Sequence, residues 1–220
     1  MHHSRSHSHG DVGRFDEWAP QYERHWMQRV VFDPIQSTLL NLASEQLPQP
    51  QSILDVGCGT GRLLRTASQR FPGARLDGID AAPQMVEQAI SLLAPGAPIH
   101  YQQGTAEALP FADGQFDLVF STMTFHHWAD QRKGVSEVAR VLAPGGRWLL
   151  ADFIGRGLVR TVTQLLRLHR FFDRKGLDSF IAEAGLVVVA ERPSRWLGRS
   201  VPVLAIKKME RAMGIGRQYI

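Results

Sequence analysis

A single cysteine, Cys58, stands among 220 residues, so neither a disulfide framework nor a cysteine-built zinc site can form within the chain. The lone thiol points to a reducing compartment. No apolar run approaches the roughly 18 residues that a membrane-spanning helix needs, and the N-terminus has no apolar signal core. A cytoplasmic protein with no stable membrane insertion is therefore expected. Charge of one sign is not in large excess either: 25 basic side chains face 21 acidic ones, spread along the chain. That balance does not imply nucleic acid, and none is expected as a partner. With 44% hydrophobic residues, the chain can bury a core of its own, and its length suits one α/β domain.

The ends differ in composition from the middle. Residues 1–10, M-H-H-S-R-S-H-S-H-G, hold four of the nine histidines. Such a stretch cannot bury enough apolar surface to order itself, so residues 1–13 are read as a disordered leader rather than a metal-binding tail. No metal site is expected. Residues 207–220 form a basic, mildly amphipathic tail, and a single domain is expected over 14–206.

Inside that span, apolar runs of strand length alternate with segments of helical period, the pattern of a parallel sheet with crossover helices. Strands are predicted at 52–56, 74–79, 97–102, 116–121, 146–152, 186–191 and 201–206. Val86, Ala89, Ile90 and Leu93 share one helical face behind Pro83, which suits a first helical position. Val135, Val138, Ala139 and Leu142 repeat the pattern, and Pro144-Gly145-Gly146 predicts a turn before the next strand. A helix at 177–184 should stop at Gly185, and the last two strands, with Pro193 and Gly198 between them, suit an edge hairpin. Residues 14–47 read as an N-terminal helical cap packed over one end of the sheet, and 153–176 lie between the fifth strand and the 177–184 helix.

The chemistry gathers around I-L-D-V-G-C-G-T-G-R, residues 53–62. A dinucleotide fingerprint needs Gly-x-Gly-x-x-Gly, and here the third position is Arg62. The glycines, Gly57, Gly59 and Gly61, stand on alternate positions instead, behind Asp55. No Gly-Lys-Ser/Thr follows, which excludes a P-loop. A second acid, Asp80, ends the second strand, where a carboxylate can accept from both hydroxyls of a ribose. Loop and acid together predict a nucleoside ligand with no demand for a phosphate.

Four stretches, L-D-V-G-C-G-T-G, G-I-D-A-A-P-Q-M, G-T-A-E-A-L-P-F-A-D-G-Q-F-D-L-V-F-S and E-V-A-R-V-L-A-P-G-G, then follow in order over roughly residues 50–150. In this order the chain resembles the class I S-adenosylmethionine-dependent methyltransferases, closest to the small-molecule enzymes of the ubiquinone and menaquinone type. The resemblance implies a Rossmann-like, doubly wound α/β fold: seven strands, mostly parallel, with an antiparallel C-terminal edge hairpin and helices on both faces. It implies S-adenosylmethionine as cofactor. Gly57, Cys58 and Gly59 would carry main-chain groups to the methionine moiety, with Asp55 on its ammonium. Asp80 would hold the ribose, Ala81 and Met85 would pack on the adenine, and Thr105, Ala106 and Glu107 would read its edge. Thr105 stands where the family usually has Asp, and its hydroxyl is a weaker acceptor. Ser121 would touch the methionine end, and Tyr22 would lay an aromatic ring over the cofactor. The resemblance also implies a variable lid or substrate segment at 153–176.

A methyl on a sulfonium is already electrophilic, so the protein has only to align an acceptor and exclude water. A general base, where the acceptor needs one, is sought at His126 or His127 in T-M-T-F-H-H-W, which spacing does not distinguish. Phe15, Trp18 and Tyr22 form an aromatic stripe, read as a packed helix face with a lid over the sulfonium as the alternative. Arg160, Arg167 and Arg174 recur every seven residues, a solvated face by default and an acidic-substrate site otherwise.

There is no N/D-P-P-Y/F run after the fourth strand, and cytosine-C5 or arsenite chemistry would need cysteines this chain lacks. What remains is methylation of O, N or C on a small metabolite, quinone precursor or natural product. A cofactor-binding accessory protein without transfer and an NAD(P)-dependent oxidoreductase are the alternative readings. Oligomeric state is left open.

Overall fold

A computed structural model describes residue 30 and residues 32–155, 172–196 and 199–209. The leader, Phe15, Trp18, Tyr22, Arg160, Arg167 and most of the tail lie outside the described residues.

The element order is α1 (Asp33–Gln46), β1 (Ser52–Val56), α2 (Arg62–Arg70), β2 (Arg75–Asp80), α3 (Pro83–Ser91), β3 (Ile99–Gln103), β4 (Phe116–Thr122), α4 (Gln131–Val141) and β5 (Leu142–Ala151). Then follow the two-residue strands β6 (Ile154–Gly155) and β7 (Phe172–Asp173), α5 (Arg174–Glu183), β8 (Leu186–Trp196) and β9 (Arg199–Lys208). Seven strands form one sheet in the order β3-β2-β1-β4-β5-β9-β8, while β6 and β7 pair separately. β3, β2, β1, β4 and β5 run parallel, and β9 and β8 are antiparallel. This is the doubly wound α/β sheet with an antiparallel edge hairpin that the sequence predicts.

The central strands are buried on both faces, so they read as continuous apolar runs rather than alternations. Two cores flank them. Ile35, Leu39 and Leu42 of α1 and Leu64 of α2 pack on Ile53, Leu149 and Val203 from one side. Val135 and Val138 of α4 and Leu177 and Ile181 of α5 pack on Leu54, Trp148 and Leu204 from the other. Among the described residues no helix is long and apolar enough to cross a membrane.

The structure corrects several expectations. Of the expected cap 14–47, the described helix Asp33–Gln46 lies on the sheet face over β5, β9 and β8 rather than over an end of the sheet. Ile90 is 52% exposed, because the buried stripe of α3 is Met85, Val86 and Ala89 and Ile90 falls at its edge. Helix α5 starts at Arg174, three residues before the expected position, where Asp173 accepts from the Lys175 amide as N-cap. It ends as predicted, with Gly185 at φ 70°. Pro144-Gly145-Gly146 lies inside β5 as a bulge: Phe116 pairs Leu142 and Leu118 pairs Arg147, with Gly145 at φ 78° making the bend. The hairpin strands run past the expected 186–191 and 201–206. Pro193 and Pro202 face each other on the edge strand and beyond the stretch of β9 that pairs β5, where no ladder N–H is required.

Candidate active site

The glycine loop joins β1 to α2 at the carboxyl end of the sheet, where open α/β sheets bind ligands. Gly57, Gly59 and Gly61 adopt φ of 78°, 52° and 76°, the left-handed region that side chains avoid. The loop's amides are turned inward. Those of Gly57 and Cys58 donate to the Ile79 carbonyl at 2.8 and 3.0 Å, and that of Gly61 to the Cys58 carbonyl at 2.9 Å. The Gly59 amide donates to Asp80 Oδ2 at 2.8 Å. A phosphate cradle needs free N–H groups, and these four are spent within the protein. The acids beside the loop are Asp55 and Asp80, which disfavour a phosphate.

Asp80 ends β2 and accepts through Oδ1 from the Ala82 amide at 2.9 Å as well. Asp55, 2% exposed, lies beneath the loop, and its Oδ1 has no hydrogen-bond partner in the structure. Burial, reinforced by the charge of Asp80, pushes its carboxyl up to about 8. Burial and the same two acids hold the Cys58 thiol well above its ordinary range, so this cysteine is packing and not a nucleophile.

A cavity of about 400 Å³ opens at these strand ends. Gly57, Gly59, Asp80, Ala81, Met85, Thr105, Ala106 and Glu107 line it, and so does His127. Those nine predicted residues come from four segments that only the fold brings together. Asp55, Cys58, Ser121 and His126 do not line it, and Tyr22 lies outside the described residues. Ser121 is fully buried and accepts from Trp148 Nε1 at 3.2 Å. Its neighbour Thr122 lines the cavity instead, with a buried Oγ1 that makes no hydrogen bond in the structure. Successive strand residues face opposite ways, so a one-residue offset separates cavity from core. Glu107 Oε1 also accepts from the Asp130 amide at 3.1 Å.

The far side of the cavity is formed by Phe32, Met123, Thr124, His127, Trp128 and Ala129. Met123 holds φ 56°, the sole positive φ outside glycine among the described residues, and its amide donates to the Ala151 carbonyl at 2.8 Å. That bend carries the chain off β4 so that Thr122, Met123 and Thr124 all reach the cavity. His126 and His127 follow in a 3-10 turn with ring centroids 3.9 Å apart. His126 Nδ1 lies 2.7 Å from Oδ1 of Asp152, whose Oδ2 accepts the His126 amide at 3.2 Å. Asp152, 2% exposed, was not anticipated, since nothing local in F-I-G after β5 marks it as a partner of a residue 26 positions earlier.

Of Arg160, Arg167 and Arg174 only Arg174 is among the described residues, and it pairs with Asp178 and Glu191, both at 2.8 Å. Arg62, in the place of a third dinucleotide glycine, pairs with Asp33 of α1 at 2.7 Å.

A methyltransferase-domain family model matches residues 54–150. A demethylmenaquinone methyltransferase from Thermus thermophilus is 36% identical over 151 residues, covering 63% of this chain and 64% of that protein. A malonyl-[acyl-carrier protein] O-methyltransferase from Geobacter sulfurreducens is 33% identical over 184 residues, covering 78% and 67%. The chain thus spans less than two thirds of some curated relatives, and only 29% of a biotin-biosynthesis bifunctional protein from Bordetella avium. The fold matches the solved 1,6-didemethyltoxoflavin-N1-methyltransferase of Burkholderia thailandensis, which holds S-adenosylhomocysteine, with TM-score 0.74 over 96% of this chain and 92% of that one at 16% identity. With the sheet order, the phosphate-free glycine loop and the acid closing β2 in place, the chain belongs to the class I S-adenosylmethionine-dependent methyltransferases.

Proposed function

We propose that the chain moves a methyl group from S-adenosylmethionine to an O, N or C atom of a small acceptor by in-line displacement. The observation that carries this reading is the single cavity wall made of an inward-turned glycine loop and Asp80, facing an apolar and aromatic wall across about 400 Å³. The residues fit the cofactor. Asp55 Oδ1 is an orphaned buried acceptor suited to an ammonium, Asp80 is placed for the ribose hydroxyls, and Ala81 and Met85 offer apolar surface to the adenine. When bound, S-adenosylmethionine supplies an electrophilic methyl on a sulfonium that leaves as a neutral thioether.

The protein's part is then alignment, dryness and, where required, a proton acceptor. Phe32, Met123 and Trp128 favour an acceptor with a flat apolar body, in keeping with the quinone-type relative. His127 is the base candidate that touches the cavity. His126 is the better oriented of the two, with Nδ1 2.7 Å from Asp152 Oδ1 and its amide donating to Asp152 Oδ2. The buried lone Cys58 suits a reducing compartment, and we read the protein as cytoplasmic.

Calorimetric titration tests the cofactor: binding of S-adenosylhomocysteine without binding of NADH is expected, and the reverse result overturns the reading. Methyl-labelled cofactor with a panel of ring-bearing hydroxyl, amine and quinol acceptors tests transfer; label that moves to none of them favours an accessory protein. In the same titration, Asp80→Ala is expected to weaken binding by about 1–3 kcal/mol, through loss of charge-assisted hydrogen bonds to ligand and loop. An unchanged affinity removes Asp80 from the site.

A further inference from the structure

Residues 104–115 join β3 to β4 without regular structure, yet Gly104, Thr105, Ala106 and Glu107 form one wall of the cavity. Irregular backbone keeps its shape only through what it is tied to. Here the ties run to α4. The Leu109 amide donates to Glu137 Oε2 at 2.9 Å, and Arg140 Nη2 donates to the Leu109 carbonyl at 2.9 Å. Arg140 Nη1 donates to the Phe111 carbonyl at 2.7 Å and to Asp113 Oδ1 at 2.8 Å. The Gly114 amide in turn donates to the Arg140 carbonyl at 2.9 Å. Arg140 is steadied by Glu137 through two bonds of 2.8 Å, Nε to Oε1 and Nη2 to Oε2.

The lining at 122–129 hangs on the same helix. The Trp128 ring occupies the space that a β-carbon on Gly134 would need, and Gln131 Nε2 donates to the Phe125 carbonyl at 3.2 Å. Asp130, the N-cap of α4, accepts the Lys133 amide at 3.0 Å and gives its own amide to Glu107 at 3.1 Å.

We infer that Arg140, braced by Glu137, is a positioning residue for the cofactor site, fixing wall 104–107 against wall 122–129 through α4 although it does not itself line the cavity. The inference rests on reading this cavity as the cofactor's. It depends on guanidinium geometry: one planar fork serves two carbonyls and two carboxylates, which the single nitrogen of a lysine cannot reach together. The E-V-A-R stretch thereby acquires a role at a distance from the reacting atoms.

Titration of the full chain with S-adenosylhomocysteine tests it. Arg140→Ala is expected to weaken binding by about tenfold or more, and Arg140→Lys, which keeps the charge beside Glu137, by about fivefold. Arg132→Ala, on the same helix but paired with Glu183, should bind as the parent does. Hydrogen exchange at the Leu109 amide should accelerate in both Arg140 variants while β1 and β4 amides stay protected. A purely structural role would lower the melting temperature and leave affinity and Leu109 exchange unchanged in the folded protein. Affinity within about twofold of the parent in whichever Arg140 variant folds overturns the inference; a parent chain that does not bind S-adenosylhomocysteine overturns the cofactor reading instead.

Discussion

Asp55→Asn is expected to make the cofactor-free protein more stable at pH 8 while it weakens S-adenosylhomocysteine binding. The carboxyl is buried with an unpartnered Oδ1, and its folded-state value is pushed up to about 8. An unfolded Asp titrates near about 3.9. Between these values the unfolded chain has lost the proton that the folded chain keeps, so stability is fully present below about pH 4 and falls as pH rises toward about 8. Asn carries no charge to desolvate and escapes that loss. The stability gap between variant and parent should therefore widen across this window, reaching about 2–4 kcal/mol, less than the full linkage value because the site relaxes. Denaturant unfolding at a series of pH values reads it directly. The same change removes the carboxylate that an ammonium would pair with, and binding should weaken by about 1–3 kcal/mol. A variant less stable than the parent at pH 8 would mean that Asp55 is ionised and well paired in the folded protein.

Gly57→Ala is expected to abolish cofactor binding and to destabilise the fold. Two costs act together. Gly57 sits at φ 78°, which costs an L-residue about 1–2 kcal/mol. Its new β-carbon would also land on the Thr124 side chain, which lines the cavity. Moving Thr124 disturbs the turn that carries His126 and His127, and a total loss of about 2–4 kcal/mol is expected in denaturant unfolding. Gly59→Ala separates the two effects. With φ 52° and open space around its added β-carbon, it should lose only the conformational part, about 1–2 kcal/mol. A Thr124→Gly background, which removes the β-carbon as well as Oγ1 and Cγ2 from the path of the new group, should recover part of the Gly57→Ala loss, and the double-mutant cycle measures the collision. Equal effects at the two glycines would show that the Thr124 contact is immaterial.

The order of elements was legible because each signal is local. Apolar runs, helical stripes and glycines at turns act within a few residues, so β1, the crossover helices α3 and α4 and the end of α5 at Gly185 could be read along the chain. Asp55, the glycines and Asp80 were legible for the same reason: each closes or follows a recognisable strand. The α2 helix went unread, being short and mostly polar outside Leu63, Leu64 and Ala67. The inward turn of the loop's amides was also hidden, because their acceptor, the Ile79 carbonyl, is on another strand.

By itself, then, the sequence determined the class of fold, the exclusion of phosphate and dinucleotide loops, and which acids stand at strand ends. Only the tertiary structure decided that Thr122 and not Ser121 faces the cavity, that His126 is held by Asp152, and that Arg140 grips the loop behind residues 104–107. Each of these depends on strand register, on the left-handed bend at Met123, or on contacts between residues more than 20 positions apart. Periodicity encodes which side of an element is apolar; it carries no information about which distant partner a polar group will meet.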